Sequence, residues 1–104
     1  MEVKTTYENG KLTVYLSGEI DHHTAAYLRS ETDEKINKLK PREIVLNFGE
    51  ITFMDSSGIG FVMGRFKLAE EIGATITVED LTPQIYKVMK LSGLEKIVKL
   101  KRKG

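Results

Sequence analysis

Two short runs open the chain, residues 3–7 and 12–17, and Glu8-Asn9-Gly10-Lys11 lies between them. Asn-Gly tolerates the positive φ of a type I′ turn, so the runs predict a β-hairpin. In the second run Leu12, Val14 and Leu16 alternate with Thr13, Tyr15 and Ser17. That alternation gives one core face, and Gly18 is expected to end the strand. The period then changes. Ala25, Leu28, Thr32, Ile36 and Leu39 recur at spacings of three and four, predicting a helix over 24–39 that Pro41 cannot extend.

Residues 43–48, EIVLNF, form a near-continuous apolar run with Ile44, Val45, Leu46 and Phe48, the pattern of an interior strand covered on both faces. A second helix is expected over 57–72, with Ile59, Val62, Met63, Phe66 and Ala69 as its apolar stripe and Gly73 as a left-handed stop. Ala74, Ile76 and Val78 alternate as a further strand. Thr82-Pro83 then places a capping residue before a proline at the first helical position. The helix it opens, 83–92, should bury Ile85, Val88 and Met89 and end at Gly93, with a last short strand over 97–100.

The order ββαβαβαβ implies right-handed crossovers and a largely parallel sheet to which the hairpin adds one antiparallel strand. The expectation is one α/β domain over 1–104, with a mixed sheet of four or five strands and helices packed against it. In open α/β sheets, ligands and partners meet the loops at the carboxyl ends of the parallel strands. Two such loops stand out, Glu19–Thr24 and Phe53–Gly60.

Composition narrows the classes. With 104 residues the chain can build a single modest core. A formal charge of +1 gives no sign of nucleic-acid binding, and Lys99, Lys101, Arg102 and Lys103 read as a solubilising tail. The chain has no cysteine, hence no disulfide and no thiolate metal site, which suits a reducing compartment. MEVKTTYENG lacks an apolar signal core and no run reaches membrane-spanning length, so the expectation is a cytoplasmic protein without a membrane partner.

The segment FMDSSGIG, 53–60, sets an acid, two serines and glycines at a helix start. Its plain reading is helix capping, worth about 1 kcal/mol. Two features favour a function. Glycines at 58, 60 and 64 each weaken a helix by about 0.8–1 kcal/mol relative to alanine, which a chain tolerates where something must come close. A helix N-terminus also accommodates a phosphate, so a serine there can be phosphorylated without disrupting its own helix.

Glu19-Ile20-Asp21-His22-His23-Thr24 offers a rival, since Asp-His-His occurs in metal-dependent phosphoesterases. Only two histidines are present, and adjacent residues in an opening helical turn do not easily ligate one ion, so Asp21 reads as a cap and no metal is expected. A small serine hydrolase would pair Ser56 or Ser57 with His22 or His23, but the G-x-S-x-G elbow is missing. A third alternative is a module sensing a nucleotide or lipid.

Taken together, GEIDHHTA at 18–25, FMDSSGIG at 53–60 and LSGL at 91–94 resemble the STAS domain family over nearly the whole chain. The resemblance is to its anti-sigma-factor antagonists, in particular the stage II sporulation protein AA type. It implies a non-enzymatic regulator without a cofactor, monomeric when free. Its unphosphorylated form would bind an anti-sigma factor that is also a serine kinase, freeing the sigma factor. Phosphorylation of the first serine after the motif aspartate, here Ser56, would end the interaction, and a serine phosphatase would restore it. The residues alone leave Ser56 and Ser57 open. The resemblance also implies a partner surface of Asp21, His22, His23, Asp55, Ser57, Gly58 and Gly60, with Arg65, expected to project away from the apolar stripe. Family members often carry a further C-terminal helix, which KLKRKG does not suggest.

Overall fold

The computed structural model describes residues 2–104. Strands β1 (Glu2–Glu8) and β2 (Lys11–Ile20) form the expected hairpin, with positive φ at both Asn9 (51°) and Gly10 (81°). Then follow α1 (His22–Leu39), β3 (Glu43–Met54), α2 (Ser56–Ile72), β4 (Thr75–Leu81), α3 (Pro83–Leu91), a 3-10 turn (Leu94–Lys96) and β5 (Lys99–Arg102). The sheet order is β1-β2-β3-β4-β5. The first pair is antiparallel and the other three are parallel.

Each crossover steps the same way across the sheet, so right-handed connections place all three helices on one face. The core forms there. Leu12, Val14 and Leu16 of β2 and Ile44, Leu46 and Phe48 of β3 pack with Leu28 and Ile36 of α1, Phe61 and Val62 of α2, and Ile85 and Met89 of α3. The run over 43–48 is therefore covered by helices on one face and not on both. Strand alternation turns Val45 and Asn47 to the other face. Thr13 and Thr77 flank Val45 in register, which hides it without a helix. Asn47 is satisfied locally: its Nδ2 donates to Glu79 Oε2 and Asp80 Oδ2, and its Oδ1 accepts from the Gly49 amide.

Several boundaries depart from the periodicity. Gly18 does not end β2. It adopts φ 102°, register shifts flank it, and pairing continues to Ile20. β3 likewise runs six residues past Phe48, so Phe53 and Met54 belong to a strand. The helix α1 begins at His22, because Asp21 caps it, and closes on Lys40 in the left-handed conformation (φ 47°). Residues 99–102 are not a tail. They pair with β4 as β5, and the 3-10 turn displaces this strand two residues from its expected start.

Two helix faces are also corrected. In α2 the buried residues are Gly58, Phe61, Val62, Arg65 and Ala69, while Ile59 and Phe66 are half-buried and Met63 is exposed. Arg65 points inward, against expectation, because its guanidinium finds a carboxylate partner and its stem packs as hydrocarbon. In α3, Ile85 and Met89 are buried but Val88 is exposed. Among the described residues, no helix is long and apolar enough to cross a membrane.

Candidate functional site

The parallel strands β2 and β3 end in register, Ile20 opposite Met54, and an aspartate follows each. The Asp55 amide donates to the Ile20 carbonyl at 3.1 Å, so the two chain reversals are tied side by side. Each aspartate starts a helix. Asp21 Oδ1 accepts from the His23 and Thr24 amides, both at 2.9 Å. In return Thr24 Oγ1 accepts from the Asp21 amide at 2.9 Å and donates to the Glu19 carbonyl at 2.8 Å. This reciprocal cap satisfies donors that a helix leaves unpaired. The amide bonds, that of Thr24 foremost, hold the Asp21 carboxyl below its ordinary value. Asp55 Oδ1 accepts from the Ser57 amide at 2.7 Å, and the Asp55 carbonyl from the Gly58 amide at 2.9 Å.

Ser56 is therefore the first helical residue and is exposed, whereas Ser57 is half-buried. His22 and His23 are exposed in the first turn of α1, their rings edge-on at 5.8 Å between centroids. With Asp21 Oδ1 engaged by amides, the described residues contain no group of three or more His, Cys, Asp or Glu side chains placed to hold a metal ion.

Between the two helices runs an open groove of about 390 Å³. One wall is His22, Ala25, Ala26 and Arg29 of α1; the other is Ser57, Gly60 and Gly64 of α2. The groove exists because of the small residues: a methyl group built on Gly60 or Gly64 would meet nothing within 4 Å. Gly58 answers a different need. A Cβ there would overlap the Met54 side chain, so this glycine lets α2 leave the strand end closely.

Phe61 and Arg65 line the bottom of the groove and are buried. Arg65 Nε stands 2.8 Å from Asp33 Oδ1 as a close charge pair, and the aligned hydrogen bonds run from Nη2 to Asp33 Oδ2 and from Nη1 to the Phe61 carbonyl, both 3.2 Å. The guanidinium also lies 5.1 Å from the Phe61 ring centroid. Burial lowers the Arg65 pKa, opposed by Asp33, and burial raises that of Asp33, opposed by Arg65 and Arg29.

The structure thus brings together Asp21, His22, His23, Asp55, Ser56, Ser57 and Gly60 near the paired helix starts, and it withdraws Gly58 and Arg65 from the surface. Sequence reasoning missed Phe61, Arg29 and Asp33. The signal for the first was present: positions 58, 61, 62, 65 and 69 have helical spacing, disguised by a glycine and an arginine.

A model of the STAS domain family matches residues 1–103. The chain belongs to the STAS domain family. An anti-sigma F factor antagonist of Paenibacillus polymyxa is 39% identical over 98 residues, 94% of this chain and 84% of that protein. Among solved structures, the anti-sigma factor antagonist SpoIIAA in its unphosphorylated form superposes on this STAS domain with a TM-score of 0.80 at 28% identity, covering 95% of this chain and 87% of that one. The phosphorylated form of the Bacillus cell fate determinant SpoIIAA gives 0.72 at the same identity, covering 95% and 90%. The homologues of this STAS domain are anti-sigma factor antagonists, and one of them has been solved both without and with phosphate.

Proposed function

We propose that this STAS domain is an anti-sigma factor antagonist. In its unphosphorylated form it binds an anti-sigma factor that is also a serine kinase and so frees a sigma factor. Phosphorylation of Ser56 ends that interaction, and a serine phosphatase reverses it. The protein acts as a cytoplasmic monomer and has no enzymatic activity of its own. One observation carries the reading: Ser56 is exposed at the first turn of α2, next to the cap Asp55 and beside the twin helix start at Asp21.

The electrostatics support a switch acting at the surface. Phosphate adds about −1.5 to −2 charges at pH 7. Ser56 stands between Asp55, whose Oδ1 already holds the Ser57 amide, and the groove wall formed by Ser57 and Gly60. New negative charge therefore accumulates at the mouth of the partner surface, where Asp21 and Asp55 already lie. The hydrogen bonds that start α2 come from Asp55 and not from the Ser56 hydroxyl, so the fold need not change. In this reading His22, Ser57 and Gly60 face the partner across the groove, Asp21, His23 and Asp55 border it, and Gly58 and Arg65 shape it from beneath. The test is incubation with the kinase partner and ATP. Stoichiometric phosphoserine on Ser56, with loss of partner affinity measured by calorimetry, is expected. Phosphate on Ser57, or equal affinity with and without phosphate, refutes the proposal.

A further inference from the structure

Charge is unevenly divided along this nearly neutral chain. Residues 82–104 hold seven of the 16 lysines and arginines and one of the 15 acids, a formal +6, which leaves −5 for residues 1–81. All seven cations are exposed. Among the described residues the ion pairs are Lys4–Glu2 and Arg65–Asp33, and neither uses a cation of this segment.

The segment is a packed unit. The Arg102 guanidinium lies 5.2 Å from the Tyr86 ring centroid, joining β5 to α3. The Lys103 amide donates to the Leu81 carbonyl and its Nζ to the Gly49 carbonyl, tying down the chain after β5. Lysines on an edge strand guard against pairing with another sheet, which accounts for Lys99 and Lys101. It does not account for Lys87 and Lys90 on α3 or Lys96 in the turn. Nor does it account for Leu91, which is 79% exposed, one helical turn from Lys87. Val88, 43% exposed and three positions before Leu91 on α3, adds to this apolar surface.

We propose that the surface of α3 and the 3-10 turn, which carries Lys87, Lys90, Lys96 and Leu91, docks peripherally on an anionic lipid bilayer; Lys99, in register with Thr77, and Lys101 lie on the helix-free face of the sheet. The cations meet the headgroups and Leu91 enters the interface. A purely acidic protein or a nucleic acid complements the charge but leaves an exposed leucine among lysines without use. A bilayer surface takes both, because buried apolar area and attraction to anionic lipid add. Ser56 and the residues lining the groove over Gly60 lie outside this segment.

The test is co-sedimentation of the intact chain with vesicles of equimolar phosphatidylglycerol and phosphatidylcholine, and with phosphatidylcholine alone. Binding to the first and not the second, weakening as salt is raised, is expected. Each neutralised lysine should weaken binding about fivefold, so Lys87→Gln with Lys90→Gln should lose about 25-fold. Lys99→Gln with Lys101→Gln, on the helix-free face, is the control and should weaken binding clearly less than the α3 pair; an equal or larger loss overturns the assignment to α3. Leu91→Ser keeps every charge and should lose about tenfold. All these side chains are exposed, and unchanged circular dichroism confirms that each variant is folded. Absence of binding, equal binding to both vesicles, or an unaltered affinity of Leu91→Ser overturns the proposal. So does tighter binding to duplex DNA or polyglutamate than to the anionic vesicles, which would make the face a site for another polyanion.

Discussion

Arg65 and Asp33 form an ion pair across the seam between α1 and α2, with Nε 2.8 Å from Oδ1. Arg65 is 5% exposed, so its charge is carried into the packed interior beneath the groove. Arg65→Ala should cost about 3 kcal/mol, the low end for breaking a buried pair, because the Asp33 side chain keeps part of its contact with water. The double variant Arg65→Met with Asp33→Leu should recover most of that loss. Denaturant unfolding of both singles and the double measures the coupling. A stable Arg65→Ala that binds its partner weakly would return this residue to the surface.

Two phenylalanines of α2 differ in burial, and only Phe61 lines the groove. Phe61 is 4% exposed, so Phe61→Ala should cost about 3–5 kcal/mol. Phe66 is half-buried, and Phe66→Ala should cost clearly less. A domain of this size has about 5–15 kcal/mol in total, so the difference is visible in the denaturation midpoints.

Glycines of one helix should respond with opposite signs. Gly58→Ala forces a methyl into Met54 and should destabilise by about 1–3 kcal/mol. Gly60→Ala has open space and should stabilise by about 0.4–1 kcal/mol, while its methyl narrows the groove and weakens the proposed partner. Paired thermal melts and calorimetric titrations decide whether stability and binding part in this way.

Because Asp55 supplies the cap, Ser56→Ala should change stability by no more than about 0.5 kcal/mol. Asp55→Ala should cost about 1 kcal/mol. Ser56→Ala should abolish phosphorylation and retain partner binding. Ser56→Asp should weaken binding incompletely, since a carboxylate has less charge than phosphate. Ser57→Ala keeps the amide that Asp55 holds and should remain a kinase substrate. Mass spectrometry of each variant after kinase treatment gives the outcome.

Acid should act at Asp21 through its cap. Its folded pKa is lowered from 3.8, so its contribution to stability is fully present above that value and is lost as pH falls through the lowered one. Asp33 has the opposite sign: its raised pKa gives a contribution present below 3.8 and lost as pH rises through the folded value. Asp21→Asn preserves an accepting oxygen and removes the titration, so its stability should fall less steeply below pH 3.8 than that of the parent. Denaturation midpoints across an acid pH series measure the slope.

Much of this protein is local chemistry and could be read along the chain. Asn9-Gly10 dictates the hairpin, Thr82-Pro83 opens α3, Gly73 closes α2, and the order of strands and helices fixes the parallel sheet with its hairpin edge. Asp21 and Asp55 were legible as helix starts because capping involves only residues two or three positions apart. What the sequence could not decide depends on contacts between elements distant in the chain. Arg65 is buried because Asp33, on another helix, meets it. Pairing of β2 with β3 carries both strands past Gly18 and Phe48, which sets the two caps side by side. Residues 99–102 become a strand because β4 offers an open edge. Only the fold, by placing the helices on one face, leaves a groove over Gly60 and Gly64. Periodicity reports how polar each position is; burial also depends on whether a partner arrives to satisfy the polar group.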